Sequence, residues 1–408
     1  MVLRDRPEHA VLMPSSGTID ALLLADRWRQ LFGAVVAERK PAPRPSLFQS
    51  YVQGGFECST HRRKDGTRLD LITATGHDTN TVEDYAQLAG FGITTVRDGL
   101  RWHLIEQEPG QFDWSSFTPM LEAAVQSRTE VIWDLMHYGW PDDIDIWQPD
   151  FVARLSRFAT AAAELVKRHA GPGAFYCPIN EISFLAWAAG DVAHFYPFAQ
   201  GRGFELKVQL ARASIEAMRA IRAVDETVRF VQCEPLVHVV ANGSSERAEA
   251  QKVRAFQFQS WDLISGSSWP QLGGSPDLLD IIGVNYYSHN QWALGGRTID
   301  AMHRDYLPLR HLLAEVYARY GRPILLSETG AEGQKRAHWY AAVAQEVRAA
   351  RGAGVPVEGI CLYPIIDHND WDDDQVRQSG LLGNVAIDGR RKIHQPLASE
   401  AAEVNAIG

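Results

Sequence analysis

The chain has 408 residues, 45% hydrophobic and 22% charged, enough apolar material for one large domain or two ordinary ones, which excludes disorder and a fibrous repeat. Forty basic against fifty acidic residues leave a formal charge of −10, and this argues against a nucleic-acid partner, since phosphate backbones need a basic surface. Twelve tryptophans are many for this length; each can be a large core residue or a flat platform for a ligand.

In chain order, the opening MVLRDRPEHAVLMPSSG carries mixed charges and lacks the apolar run of a secretory signal. The first sustained apolar stretch, Ala21 to Leu24, is too short to span a bilayer, so no membrane association is expected. Ile19 to Glu38 has roughly helical spacing, and the Pro-Ala-Pro-Arg-Pro run at 41 to 45 stops it. Residues 1–45 therefore read as an N-terminal extension with a proline-rich linker, its helix packed on the main domain, and 46–400 as one domain. The four cysteines, Cys58, Cys177, Cys233 and Cys361, match neither a CxxC metal pattern nor a dense disulfide framework, which predicts a reduced, cytoplasmic chain.

Within 46–400 short β-rich runs recur: YVQGGFE (51–57), ITTVRD (93–98), EVIWDLM (130–136), AFYCPIN (174–180), VRFVQC (228–233), DIIGVN (280–285), PILLSE (323–328) and GICLYP (359–364). Their starts fall about 44 residues apart. Several are continuously apolar, as strands covered on both faces are. Helix-like stretches lie between them, among them 151–171, which stops at a Gly-Pro pair, and 205–223. Eight β/α units at this spacing predict a (β/α)8 TIM barrel of class α/β, with a doubly wound open sheet as the alternative.

In such a barrel the chemistry lies at the C-terminal strand ends. Those ends read Glu57, Arg97, His137, Asn180-Glu181, Glu234, Asn285-Tyr286-Tyr287, Glu328 and Tyr363. Glu181 in CPINEISF and Glu328 in ILLSETG close apolar runs on the fourth and seventh units, which face each other across a barrel mouth. Either alone reads equally well as a salt-bridged strand end. Together they form the pair that glycosidic cleavage requires, one carboxyl to protonate the leaving oxygen and one carboxylate to attack the anomeric carbon.

On these residues the chain resembles clan A of the retaining glycoside hydrolases, the (β/α)8 group that includes the family 1 β-glycosidases. VRDGLRWHLIEQEPGQFDW (96–114) is similar to that clan's second-strand segment, MHYGWP (136–141) to its third-strand His-Trp region and DIIGVNYYS (280–288) to its sixth-strand Asn-Tyr-Tyr. YPIIDHNDWD (363–372) resembles the Trp-Ser-Leu-Leu-Asp-Asn-Phe-Glu-Trp segment of family 1, and SGLLGNVAIDGRRK (379–392) the turn that follows it. The resemblance runs over roughly 47–395. It implies Glu181 as general acid/base, Glu328 as nucleophile and Asn180 as the partner of the substrate 2-hydroxyl. It further implies that Arg97 keeps Glu328 ionised, that Tyr287 hydrogen-bonds the same carboxylate with Asn285 in the same binding set, and that His137 holds a sugar hydroxyl. Asp370 and Trp371 would grip the far hydroxyls, and Tyr363 would replace a platform tryptophan. Glu181 must be protonated at rest, so its pKa is expected to be raised by partial burial.

The departures from family 1 cluster on the sugar-recognition side. Ser-Glu-Thr-Gly (327–330) stands for Thr-Glu-Asn-Gly, Asp370 is one methylene shorter than the usual glutamate, and GGFECSTHRR (54–63) replaces the Gln-x-Glu-Gly motif, leaving Glu57 and His61 as the nearest candidates for the outer hydroxyls. The expected activity is an exo-acting, β-glucosidase-like retaining β-glycosidase acting on carbohydrate without metal or organic cofactor; an endo-glycanase or transglycosylase would use the same pair. A metal-dependent amidohydrolase would need a His-x-His on the first strand, which the chain lacks despite fourteen histidines. A non-catalytic carbohydrate-binding barrel would lack one glutamate. Of the tryptophans, Trp371 and with it Trp140 are read as sugar-contacting, while Trp28 and Trp339 keep the core reading. The oligomeric state is left open.

Overall fold

The computed structural model describes residues 47–407. The extension and linker expected for 1–45, with Trp28, lie outside the described residues. Each apolar run forms a strand: β1 Val52–Gly55, β2 Thr95–Gly99, β3 Glu130–Asp134, β4 Phe175–Cys177, β5 Arg229–Pro235, β6 Ile281–Asn285, β7 Ile324–Thr329 and β8 Val357–Leu362. They close into a barrel in chain order, each pair parallel. Every residue of β6 and β7 is buried, because the barrel interior covers one face and the helices the other.

The helices follow the strands in turn: α1 His77–Ala89, α2 Thr118–Ser127, α3 Pro149–Ala170, α4 Gly203–Val224, α5 Gln259–Ile264, α6 Leu309–Tyr320, α7 Lys335–Gly352 and α8 Gln395–Ile407. The boundary expected at 400 falls inside α8. Helix α3 shows why these segments are helical. Pro149 sits in the first turn, where its missing N–H costs nothing, Asp150 follows it, and Lys167, Arg168 and His169 occupy the last turn, so both ends oppose the helix dipole. Its buried stripe, Phe151, Leu155, Phe158, Ala162 and Val166, recurs at three- and four-residue steps and packs towards α4.

That stripe also receives three of the tryptophans. Trp102 stacks on Phe158 at 5.3 Å and donates its Nε1–H to Glu106 at 2.7 Å, and Trp114 stacks on Phe158 at 6.0 Å. Trp140, 3% exposed, packs edge-on against Phe151 and donates to the Ile144 carbonyl. The sugar-facing reading of Trp140 is thus corrected: the ring turns from the strand end into the helix layer.

A buried ion cluster ties the antiparallel pair Leu382–Val385 and Arg391–Ile393, which precedes α8, to α1. His77 bridges Asp84 at 2.7 Å and Asp98 at 2.8 Å, Tyr85 donates to Asp98 at 2.7 Å, and Arg391 clasps both oxygens of Asp84 at 2.6 and 3.0 Å. Burial works against charge on His77, yet the Asp98 and Asp84 carboxylates overcome it and raise its pKa to about 9.

Candidate active site

Glu328 reaches the barrel mouth through a bulge in β7. Leu326 pairs with Val284 of β6 but Glu328 pairs with Asn285, so one extra residue is accommodated on β7. Ser327 then donates to Asn285 Oδ1 at 2.6 Å, while Glu328 accepts from Arg97 Nη1 at 2.7 Å and from the Tyr287 hydroxyl at 2.9 Å. Glu181 follows β4 in the left-handed backbone region, at φ 45°; its N–H is held by the Cys233 carbonyl of β5 at 3.0 Å. Asn285 Nδ2 donates to its Oε1 at 2.8 Å and the Tyr138 hydroxyl donates to its Oε2.

The two carboxyls are 8% and 5% exposed for Glu181 and Glu328. Burial raises the pKa of Glu181, as expected, against the pull of its two hydrogen bonds and with a further push from Glu234. Burial also pushes Glu328 up, to about 7, because it outweighs the attraction of Arg97, and the charge on Glu181 adds to it. Arg97 therefore lowers the Glu328 pKa without restoring an ordinary carboxylate value. The like-charge contribution vanishes when Glu181 holds a proton.

Arg97, fully buried on β2, is the hub. Its fork binds both oxygens of Asp134 at 2.9 and 2.7 Å, besides Glu328 and the Asn180 Oδ1 at 2.5 Å. Asn180 Nδ2 is shared between His137 Nε2 at 3.0 Å and the Tyr138 oxygen at 2.9 Å. With Nε2 accepting, His137 Nδ1 carries the proton and donates to Asp134 at 2.9 Å. Cys58 Sγ lies 3.2 Å from the same Nδ1. Cys58, Asp134 and His137 are spaced as metal donors could be, but Arg97 already occupies both Asp134 oxygens and would repel a cation there.

On the sugar-recognition side, Tyr363 lies with its ring parallel to His137 at 6.1 Å and beside the Arg97 guanidinium at 5.5 Å. Gly55 makes the room: a Cβ there would lie 2.1 Å from Tyr363 Cδ2. Glu57 accepts from the Ser59 N–H at 3.0 Å and approaches His137 Nε2 at 4.0 Å. His61 stacks on Phe195 at 3.8 Å, and Trp371 meets His61, Phe195 and Tyr138 edge-on. Burial lowers the His61 pKa well below its ordinary value, so this ring is neutral. Three buried polar atoms here, His61 Nδ1, the Tyr363 hydroxyl and Trp371 Nε1, have no hydrogen-bond partner among the described residues. Asp370 differs: its oxygens accept from Arg377 Nε at 2.9 Å and the Asp372 N–H at 2.8 Å, so its carboxylate is held within its own loop.

Tyr138 and Asp134, neither of them expected from the sequence, bond directly to Glu181 and Arg97. Asp134 is the last residue of β3 but lies inside the run 130–136, whose apolar residues continue to Met136 and hide that end; Tyr138 stands beside His137 but carries no periodic signal.

The fold is a (β/α)8 barrel with two buried glutamates at the ends of its fourth and seventh strands. Among solved structures it is similar to the β-glucosidase from Thermotoga maritima in complex with glucoimidazole, at 15% identity over 90% of this chain and 99% of that one, with a TM-score of 0.70. It is also similar to the β-glycosidase from the hyperthermophile Thermosphaera aggregans, at 14% identity over 88% and 96%, TM-score 0.70, and to the AHE enzyme from Alicyclobacillus herbarius, at 17% over 90% and 100%, TM-score 0.72. At these identities the likeness is one of fold. No protein-family profile matches the chain, and no curated protein matches it by sequence.

Proposed function

We propose that the chain is a retaining, β-glucosidase-like β-glycosidase. The observation that carries this reading is the unequal setting of the two glutamates: Glu328 faces a guanidinium and a phenol, whereas among the described residues Glu181 is bonded only by the neutral donors Tyr138 and Asn285. Arg97 favours the charged form of Glu328, and Glu181, which has no cation bonded to it among the described residues, is assigned the proton. Glu328 attacks the anomeric carbon as Glu181 gives its proton to the glycosidic oxygen. The carbon–oxygen bond breaks, the aglycone leaves as an alcohol, and a glycosyl ester of Glu328 remains. Glu181, now a carboxylate, takes a proton from water, whose oxygen attacks the same carbon and returns Glu328 to its carboxylate.

The bound sugar would satisfy His61 Nδ1, the Tyr363 hydroxyl and Trp371 Nε1, whose polar atoms are otherwise buried at a cost. His137, Glu57 and Asn180 complete the binding set, and exo action rests on the reading that the Asp370-Trp371 loop closes one end of the cleft. The reaction needs no metal or organic cofactor. Four free, buried cysteines suit a reduced, cytoplasmic setting, and no helix among the described residues is long and apolar enough to cross a membrane.

The test is turnover of an aryl β-glycoside panel by the wild type, Glu181→Ala and Glu328→Ala. Azide should rescue both variants, giving a β-glycosyl azide with the first and an α-glycosyl azide with the second. Near-wild-type activity of Glu328→Ala would remove the nucleophile assignment, and loss of wild-type activity to a chelator would favour metal-dependent hydrolysis.

A further inference from the structure

Tyr138 is 2% exposed and wedged between the His137 ring at 4.6 Å and the Trp371 ring at 5.7 Å. Its backbone lies in the left-handed region, at φ 68°, as does that of Glu181 at 45°. Such a conformation is strained in a bulky residue and persists where the surroundings enforce it. Here they do: Gly139 passes so close to the 58–61 loop that a Cβ would lie 2.4 Å from the Thr60 carbonyl oxygen. Packing alone does not call for a hydroxyl at this position, since phenylalanine would fill the same space. The hydroxyl is oriented by Asn180, whose Nδ2 donates into its oxygen at 2.9 Å and so turns the O–H towards Glu181 Oε2.

Resting on the glycosidase reading, we infer that Tyr138 is a positioning residue for the acid/base: it fixes the direction of the Glu181 carboxyl and stabilises the carboxylate left when the proton passes to the glycosidic oxygen. With Asn285 on Oε1 at 2.8 Å and Tyr138 on Oε2, both oxygens are anchored and the carboxyl cannot rotate away from the leaving group. The donors are already in place when negative charge develops on Glu181, which is where a hydrogen bond accelerates a reaction. The other groups that set the charge here are His137 after β3, Glu234 on β5, Tyr287 after β6, Glu328 on β7 and Glu57 after β1. Among the described residues only Tyr138 and Asn285 hydrogen-bond the Glu181 carboxylate.

The experiment compares wild type and Tyr138→Phe on two β-glycosides, a phenyl glycoside whose leaving group needs a proton and a dinitrophenyl glycoside whose leaving group does not. The expected kcat/KM falls roughly 10- to 100-fold on the first and is nearly unchanged on the second. The basic limb of the phenyl-glycoside pH profile moves up by about one unit, because a donor to the carboxylate is lost. In a Glu181→Ala background the same substitution adds no further loss. Replacing Tyr138 with 3-fluorotyrosine, a stronger donor, moves the limb down and keeps the test alive if the phenylalanine variant folds poorly. Equal losses on both substrates with an unshifted limb, or no loss on either, would overturn the inference while leaving the glycosidase reading standing. A wild type inactive on both glycosides would overturn both.

Discussion

Arg97 binds Asp134, Glu328 and Asn180 with one planar fork, each contact at 2.9 Å or less. Lysine offers a single ammonium and cannot span those directions. Arg97→Lys is expected to lower kcat by about 100-fold or more and to cost about 3–5 kcal/mol by leaving Asp134 buried without its fork; paired kinetics and denaturant melts measure both. Tyr287 donates to Glu328 at 2.9 Å and so favours its charged form. In Tyr287→Phe the Glu328 pKa rises further and the acidic limb of kcat/KM moves up by about one unit; an unmoved limb would mean that Tyr287 does not govern that carboxyl. Arg97, Tyr287 and Asn285 were legible because each ends an apolar run, and strand ends converge at the mouth. Tyr138 was not, since its bond to Glu181 spans 43 residues of chain and depends on a left-handed turn that no local pattern announces.

The strands were legible for a related reason: burial on both faces writes an unbroken apolar run. The bulge that brings Glu328 to its partners is a register shift between β6 and β7 and leaves no such mark. Strand-end position likewise does not decide which way a tryptophan turns, which is why Trp140 belongs to the helix layer and Trp371 to the mouth. Gly55→Ala is expected to force Tyr363 out of place, because the added Cβ would lie 2.1 Å from its ring. The outcome is a raised KM or a lowered melting temperature, and a variant with neither change would contradict the close approach. The His77 cluster makes stability pH-dependent. A folded-state pKa of about 9 against an ordinary 6.5 means that this contribution is complete below about 6.5 and is lost as the pH rises through about 9. Asp84 acts in the opposite sense: burial raises its pKa, but His77 and Arg391 lower it overall, so its contribution is lost as the pH falls below about 3.8. His77→Gln should be destabilised by about 3–5 kcal/mol at pH 6 and should flatten the fall in melting temperature between about pH 6.5 and 9.

Across the molecule, the barrel gathers residues separated by up to 231 positions, as in the Arg97 and Glu328 pair, into one hydrogen-bonded network around two carboxyls. Burial raises both, and their mutual repulsion separates the two ionisations, so kcat/KM should be bell-shaped, the active form being the one with a single proton on the pair. The net charge of −10 fits the proposed uncharged carbohydrate substrate. The decisive measurement is the mass of the protein after incubation with a 2-deoxy-2-fluoro β-glycoside bearing a good leaving group, which slows release of the covalent intermediate more than its formation. One added fluoroglycosyl unit, mapped by peptide digestion to Glu328 and absent in Glu328→Gln, is the expected result. An unmodified enzyme that nevertheless turns over the parent glycoside, or a label on any other residue, would contradict the proposed double displacement.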